Sequence, residues 1–371
     1  MKIQTSTVLL LTAISLSGMN AQGTLAQCQD YAKKFANTCT SGPATWTSFT
    51  GATVSCTQEA CPTGGGTAPN CAWTRKLCVT CSSESNKIFI RIQSNGLPNH
   101  CYGGRPTVVE TVYDMKMVFD PTIPSTPQTT FASQQEYDDY VCMPGGAQTR
   151  KIPATSSWQL MVNNTVSWKS MDGIIGFATN GLPIFAGASA ERTDPYYPQA
   201  WSGSTKVQAE VVDACIGHPQ GDGLYHYHML PPCLVNANKL QTTKVCEQVS
   251  YCASDLKNYA LDSYTQAAKN LTYLGIAKDG RPIVGPYDST GSLIDCSSLD
   301  QCGGMQINNQ YVYVFQNKKP YAFGCFGPGE AQKYQASCSS NTCGSSFAIT
   351  QLQQFIALMI GVISAFNIFS Y

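Results

Sequence analysis

The chain has 371 residues, 23 of them basic and 23 acidic, and charged side chains make up only 12 % of it, about half the usual share. No basic run can neutralise a row of phosphates, which excludes nucleic acid as a partner. His-Glu-x-x-His, Gly-x-Ser-x-Gly and phosphate-cradling glycine loops are all missing from the sequence, so neither a zinc-protease helix nor an activated serine nucleophile is supported.

In chain order, residues 1–26 read as a secretory leader. Lys2 is followed by the apolar run TVLLLTAISLSGM, too short to span a bilayer, and Ala21 or Ala26 offers the small residue before a cut. Residues 27–86 form a Cys-rich segment, with cysteines at 28, 39, 56, 61, 71, 78 and 81. Their number is odd, so at least one bridge leaves the segment if all are oxidised. Cys78 and Cys81 have the spacing of a zinc or redox pair, but a secreted chain with 18 cysteines predicts structural disulfides instead.

From Lys87 the pattern changes. KIFIRIQSNGLP reads as a strand and a turn, TVVETVYDMKMVF as further strand, and STPQTTFASQQ as a loop. Two similar devices follow, GIIGFATNGLPIFAG from 173 and YLGIAKDGRPIVGPY from 273. Asn180-Gly181 and Asp279-Gly280 suit two-residue hairpins with positive φ at both central positions. The proline after each limits how the exit strand pairs. The repetition predicts pseudo-symmetric halves. SDLKNYALDSYTQAAKNL predicts one helix from a Ser254 cap to Leu271. The fold class is therefore mainly β, a hairpin-rich, pseudo-duplicated single domain with few helices, preceded by a small Cys-rich disulfide segment.

Residues 331–344 read as a Cys-containing stalk. The small residues around Gly344, a polar spacer and the apolar end FIALMIGVISAFNIFSY follow the pattern of a GPI-attachment signal, with lipid on Gly344 and residues 345–371 removed. The alternative is a C-terminal membrane anchor, for which 355–371 is short. Either reading places the protein on the extracellular face of the plasma membrane, and Asn163 and Asn270 are then glycosylation acceptors.

Only four histidines occur, and three lie in GHPQGDGLYHYHML, residues 217–230. On a strand His226 and His228 share one face, and Tyr225 and Tyr227 share the other. Pro219, Gly221 and Gly223 let His218 fold back beside them. Neutral imidazole suits Zn or Cu, and three histidines with an open position can serve catalysis. His100, in SNGLPNHCYG, is a fourth candidate ligand. Asp222 is a further ligand, an outer partner or a base, and Asp213 a second candidate base. A Cys215–Cys233 bridge would hold the segment, stabilising it by roughly 3 kcal/mol. The same residues also fit a plain core, with hydrogen-bonded imidazoles and packing tyrosines.

GHPQGDGLYHYHMLPPCL resembles the signature of the YHYH domain family. RIQSNGLPNHCYG resembles its Ser-Asn-Gly-x-Pro-x-His segment, and GIIGFATNGLPIF and LGIAKDGRPIVGPY resemble its paired hairpins. The resemblance covers residues 87–330 and leaves 27–86 outside. It implies a secreted or lipid-anchored protein of a family without an established activity. It also implies that His100, His218, Tyr225, His226, Tyr227 and His228 form a shared site or a shared structural network. Three functions are compatible. One is a surface module with a His-lined divalent-metal site, with Tyr225 and Tyr227 contacting a small molecule or surface partner. The others are a metal-dependent hydrolase using Asp222 or Asp213, and a metal-free coat or adhesion protein stapled by disulfides.

Overall fold

The computed structural model describes residues 23–40, 42–104, 106–142, 159–160, 173–198 and 207–343. The leader up to 22, Asn163, Gly344 and the segment 345–371 lie outside the described residues. Among those described, no helix is long and apolar enough to cross a membrane.

Three sheets carry the chain, so the mainly β class holds. β1 (Ala52–Thr57), β2 (Gly66–Thr67) and β3 (Asn70–Arg75) make a small antiparallel sheet. β4 (Leu77–Glu84), β5 (Lys87–Ser94), β6 (Tyr113–Val118) and β7 (Gln159–Leu160) make a second, with strands in chain order. Residue 86, where sequence composition placed a boundary, is the tip of the β4–β5 hairpin. Ser85 and Asn86 turn it at φ 48° and 62°. The Cys-rich segment is thus continuous with the body. All 18 cysteines pair. Cys78 and Cys81 bridge to Cys39 and Cys28, and Cys56 is the one that leaves its segment, to Cys101.

Two expectations fail. The stalk is not one. Cys338 bridges back to Cys142 and Cys343 to Cys296, and Ser339 donates to the buried Asp194. The long helix is also broken. Ser250–Ser254 and Leu256–Asp262 are separate short helices, the second capped by Asp255, whose side chain accepts from the Asn258 amide. Asp255, Ser263 and Thr265 favour caps over helix interiors, and they outweigh the apolar spacing. A helix at Gln134–Val141, capped by Ser133, starts in the last two residues of the stretch read as loop and runs on beyond it.

The third sheet contains eight strands. β8 (Ile174–Ala178) and β9 (Pro183–Phe185) form one hairpin, and β12 (Tyr273–Ala277) and β13 (Pro282–Val284) the other. β8 and β12 pair antiparallel at the centre. β9 then takes β11 (Tyr225–Tyr227) in parallel, and β11 takes β10 (Gly217–Pro219) antiparallel. β13 takes β15 (Gln310–Val314) in parallel, and β15 takes β14 (Gly304–Ile307) antiparallel. The order β10-β11-β9-β8-β12-β13-β15-β14 reads the same from both ends, so the two halves are one unit used twice.

The duplication extends to individual bonds. Tyr225 donates to Asp213 (2.6 Å) and Tyr311 to Asp300 (2.8 Å). Asp213 accepts from the Cys215 and Gly217 amides, and Asp300 from those of Cys302 and Gly304. Tyr227 accepts from Asn180, and Tyr313 donates to Asp279. Cys215–Cys233 is matched by Cys302–Cys325. A methyl on Gly217 would meet the Tyr225 hydroxyl at 2.4 Å, and one on Gly304 the Tyr311 hydroxyl at 2.1 Å. Each central turn has positive φ only at its glycine, Gly181 at 85° and Gly280 at 82°. Ala178 bonds to Leu182 and Ala277 to Arg281 across three-residue loops. These are type I turns closed by a left-handed glycine, because Asn180 and Asp279 commit their side chains to the tyrosines.

Candidate functional site

β10 and β11 set His218 directly opposite His226, and one strand period places His228 on the same face. The ring centroids of His218 and His226 are 4.3 Å apart, and those of His226 and His228 are 4.7 Å apart. Phe185 of the neighbouring β9 stacks on His226 at 3.9 Å and closes one side. His226 and His228 are buried, and His218 is half-buried. One ligand atom from each of the three lies within 4.8 Å of the others.

Tautomers follow from the partners. The Nδ1 of His226 meets the Leu224 carbonyl at 3.0 Å, and that of His228 the Ala186 carbonyl at 2.5 Å. Carbonyls only accept, so both Nδ1 atoms carry hydrogen and both rings point Nε2 inward. Those two Nε2 atoms stand 3.0 Å apart. At that distance a proton or a metal cation has to lie between the two nitrogens, because two facing lone pairs would repel. Glu210 closes the group, with Oε2 2.8 Å from His218 Nε2 and 3.3 Å from His228 Nε2. The His218–Glu210 approach is at ion-pair distance without hydrogen-bond alignment, so both atoms are buried without a hydrogen-bond partner. Neighbouring ligands around a cation with bonds of 2.0–2.1 Å are separated by about 3.0–3.4 Å. Burial pushes the Glu210 carboxyl up, but His228 and His218 outweigh it and hold it well below the usual range. Burial, then His218 and His228, hold His226 well below an ordinary imidazole. It is the neutral form that ligates.

Tyr196 packs edge-on to His228 at 6.4 Å, and its hydroxyl is buried without a hydrogen-bond partner. Burial, then Glu210 and Asp194, keep that phenol protonated by raising its pKa well above 10.0.

The other candidates lie elsewhere. His100 is on the tyrosine face, its Nε2 3.1 Å from the Tyr225 hydroxyl and its Nδ1 3.0 Å from Asn99. Burial, then Arg75, push its pKa down to about 3. The Cys215 and Cys233 sulfurs near it are tied in the expected bridge. Asp213 is buried and taken up by Tyr225 and two backbone amides, which leaves it no role as a base at the histidines. Asp222 is exposed in the turn before β11, with Oδ1 accepting from the Leu224 amide. Tyr225 and Tyr227 point away from the cluster into the core. Asn270 is exposed, and Thr272 donates to its side-chain oxygen at 3.0 Å.

The second half supplies an internal reference. Its strand pair sets Met305 opposite Val312, with Val314 next. Met305, Val312 and Val314 thus occupy the places of His218, His226 and His228 on the same aspartate, tyrosine and disulfide frame. There they pack with Val284 and Leu299 in an apolar cluster. The frame folds without imidazole, so the histidines are an addition to it and the tyrosines belong to it.

Fold and site together define a duplicated β domain with a histidine–glutamate cluster in one half only. Residues 151–298 match the family model described as YHYH protein, the family whose signature the histidine segment resembles. The match is narrower than 87–330 and holds both central hairpins but not His100. No curated protein and no solved structure matches the chain.

Proposed function

We propose that the protein is a cell-surface module that binds one divalent transition metal, Zn or Cu, through His218, His226, His228 and Glu210. The observation that carries this is the pair of inward-facing Nε2 atoms 3.0 Å apart beside an unaligned carboxylate. A single proton bridges one pair of atoms, whereas three imidazoles and a carboxylate converging on one point suit a divalent ion. Two backbone carbonyls orient the rings, as outer partners do at metal sites. The hydrolase alternative is disfavoured by the places of Asp213 and Asp222. A metal-free coat protein would not need the imidazoles that the second half lacks. Elemental analysis of the purified protein should find one Zn or Cu per chain. Metal-free protein that does not take up either ion would sink the reading.

The location belongs to the same proposal: leader removed, lipid on Gly344, protein held at the outer face. Complete cysteine pairing supports an oxidising compartment. Thr24 caps the helix Leu25–Ala32 in a capping box with Gln27. A cut after Ala21 spares that cap, whereas one after Ala26 severs the first turn. The intact mass of protein taken from the cell surface should therefore fit a chain from Gln22 to Gly344 plus a glycolipid. A start at Gln27, or a retained tail, would count against it.

A further inference from the structure

Three polar atoms around His228 are buried without a well-aligned hydrogen bond: Glu210 Oε2, His218 Nε2 and the Tyr196 hydroxyl, whose oxygen is approached by the His228 amide while its proton has no acceptor. The first two lie 2.8 Å apart, and a cation bound by both satisfies them. The third is a donor, which a cation does not satisfy. Nor is Tyr196 placed there loosely. Its amide bonds to Asp194 at 2.9 Å, and its ring packs on Tyr321 at 5.3 Å. The preceding carbonyl, of Pro195, accepts the Glu210 amide at 2.8 Å, which ties the two side chains to one framework. The charge is also incomplete. A divalent ion with three neutral imidazoles and one carboxylate keeps a single positive charge, which a monoanion closes.

We propose that the bound metal takes an exogenous carboxylate as a further ligand and that the Tyr196 hydroxyl donates a hydrogen bond to it. This rests on the metal reading above. The Tyr196 hydroxyl then has its acceptor, and the site becomes a receptor for small carboxylates or carboxylate side chains. Tyr196 is a specificity residue here: it contacts the anion and leaves the metal ligands alone.

The test uses the whole protein loaded with Co²⁺, whose visible bands report on coordination, and acetate as the probe. Wild type should show the bands and shift them as acetate is added. Tyr196→Phe should bind Co²⁺ as tightly as wild type and keep its melting temperature, because it loses only an unpartnered hydroxyl. Its acetate affinity should fall about 10-fold or more, the effect of deleting one hydrogen bond to a charged group. Bands that ignore acetate in wild type, or acetate affinity unchanged in Tyr196→Phe, overturn this inference alone. Absence of Co²⁺ bands in wild type defeats the metal reading, and this inference with it.

Discussion

A variant carrying the second half's residues in the first, His218→Met, His226→Val and His228→Val with Glu210→Gln, should fold and hold no metal. Met305, Val312 and Val314 show that these side chains fit the same strand pair on the same frame. Glu210 is changed with them because a buried carboxylate stripped of its imidazoles would carry an uncompensated charge, a strongly destabilising defect. Two carbonyls, of Leu224 and Ala186, lose their donors. That costs about 1–3 kcal/mol each where no replacement is found, against which three apolar side chains gain from burial. Metal-free variant and metal-free wild type should therefore melt within several degrees of each other. Added metal separates them. At 1,000 times its Kd a ligand stabilises the folded state by about 4 kcal/mol, so wild type should melt well above its metal-free form while the variant stays where it was. Calorimetry with and without Zn²⁺ and Cu²⁺ measures both. If the variant unfolds during purification, the imidazoles belong to the structural frame. If it retains stoichiometric metal, the ligands lie elsewhere.

The sequence disclosed this site unevenly, for physical reasons. Strand period alone puts His226 and His228 on one face and the tyrosines on the other, so that division was legible. His218 was legible because the glycines after it allow a return. His100 was misplaced because a shared residue type does not say which face of a sheet a distant loop covers. It covers the tyrosine face, where Cys101 anchors it to Cys56. Glu210 and Tyr196 were missed, since neither has a motif and their closeness depends on one backbone bond from Glu210 to Pro195. The central hairpins announced the duplication, but its outer strands hid it. DACIGH and DQCGGM, or YHYH and YVYV, look unrelated until both aspartates are seen bonded to their tyrosines. The β14–β15 turn, Asn308-Asn309 at φ 51° and 59°, contains no glycine to mark it.

Behind the histidines, a chain of buried hydrogen bonds predicts a pH dependence of stability. Asn180 accepts from the Leu182 amide, so its Nδ2 must donate, and it reaches Asn99 Oδ1 at 2.9 Å. That oxygen is thereby an acceptor, and His100 Nδ1, 3.0 Å away, must carry the hydrogen. With His100 neutral, its Nε2 and an ionised Asp213 both face the one Tyr225 proton, which Tyr225 donates to Asp213; only a protonated Asp213 can reverse that bond and free Tyr225 to donate to His100. Burial supplies the condition, pushing Asp213 up to about 7 against the bonds from Tyr225, Gly217 and Cys215. A folded pKa above the unfolded value of 3.8 means that the folded state binds the proton more tightly. The stabilisation is complete below the unfolded pKa and is lost as pH rises through about 7. The swing is on the order of 4 kcal/mol at 1.36 kcal/mol per unit. Above that pH Tyr225 can donate to Asp213 or to His100 but not to both. Asp213→Asn keeps the neutral pattern at every pH, its Nδ2 donating to Tyr225 while Oδ1 receives the two amides. The stability difference between wild type and Asp213→Asn should therefore move against wild type between pH 4 and pH 8, then level off. Denaturant titrations of both proteins across that range measure it. A difference independent of pH would mean that the shared proton does not reside on Asp213, and the zwitterionic form, with His100 charged, would take its place.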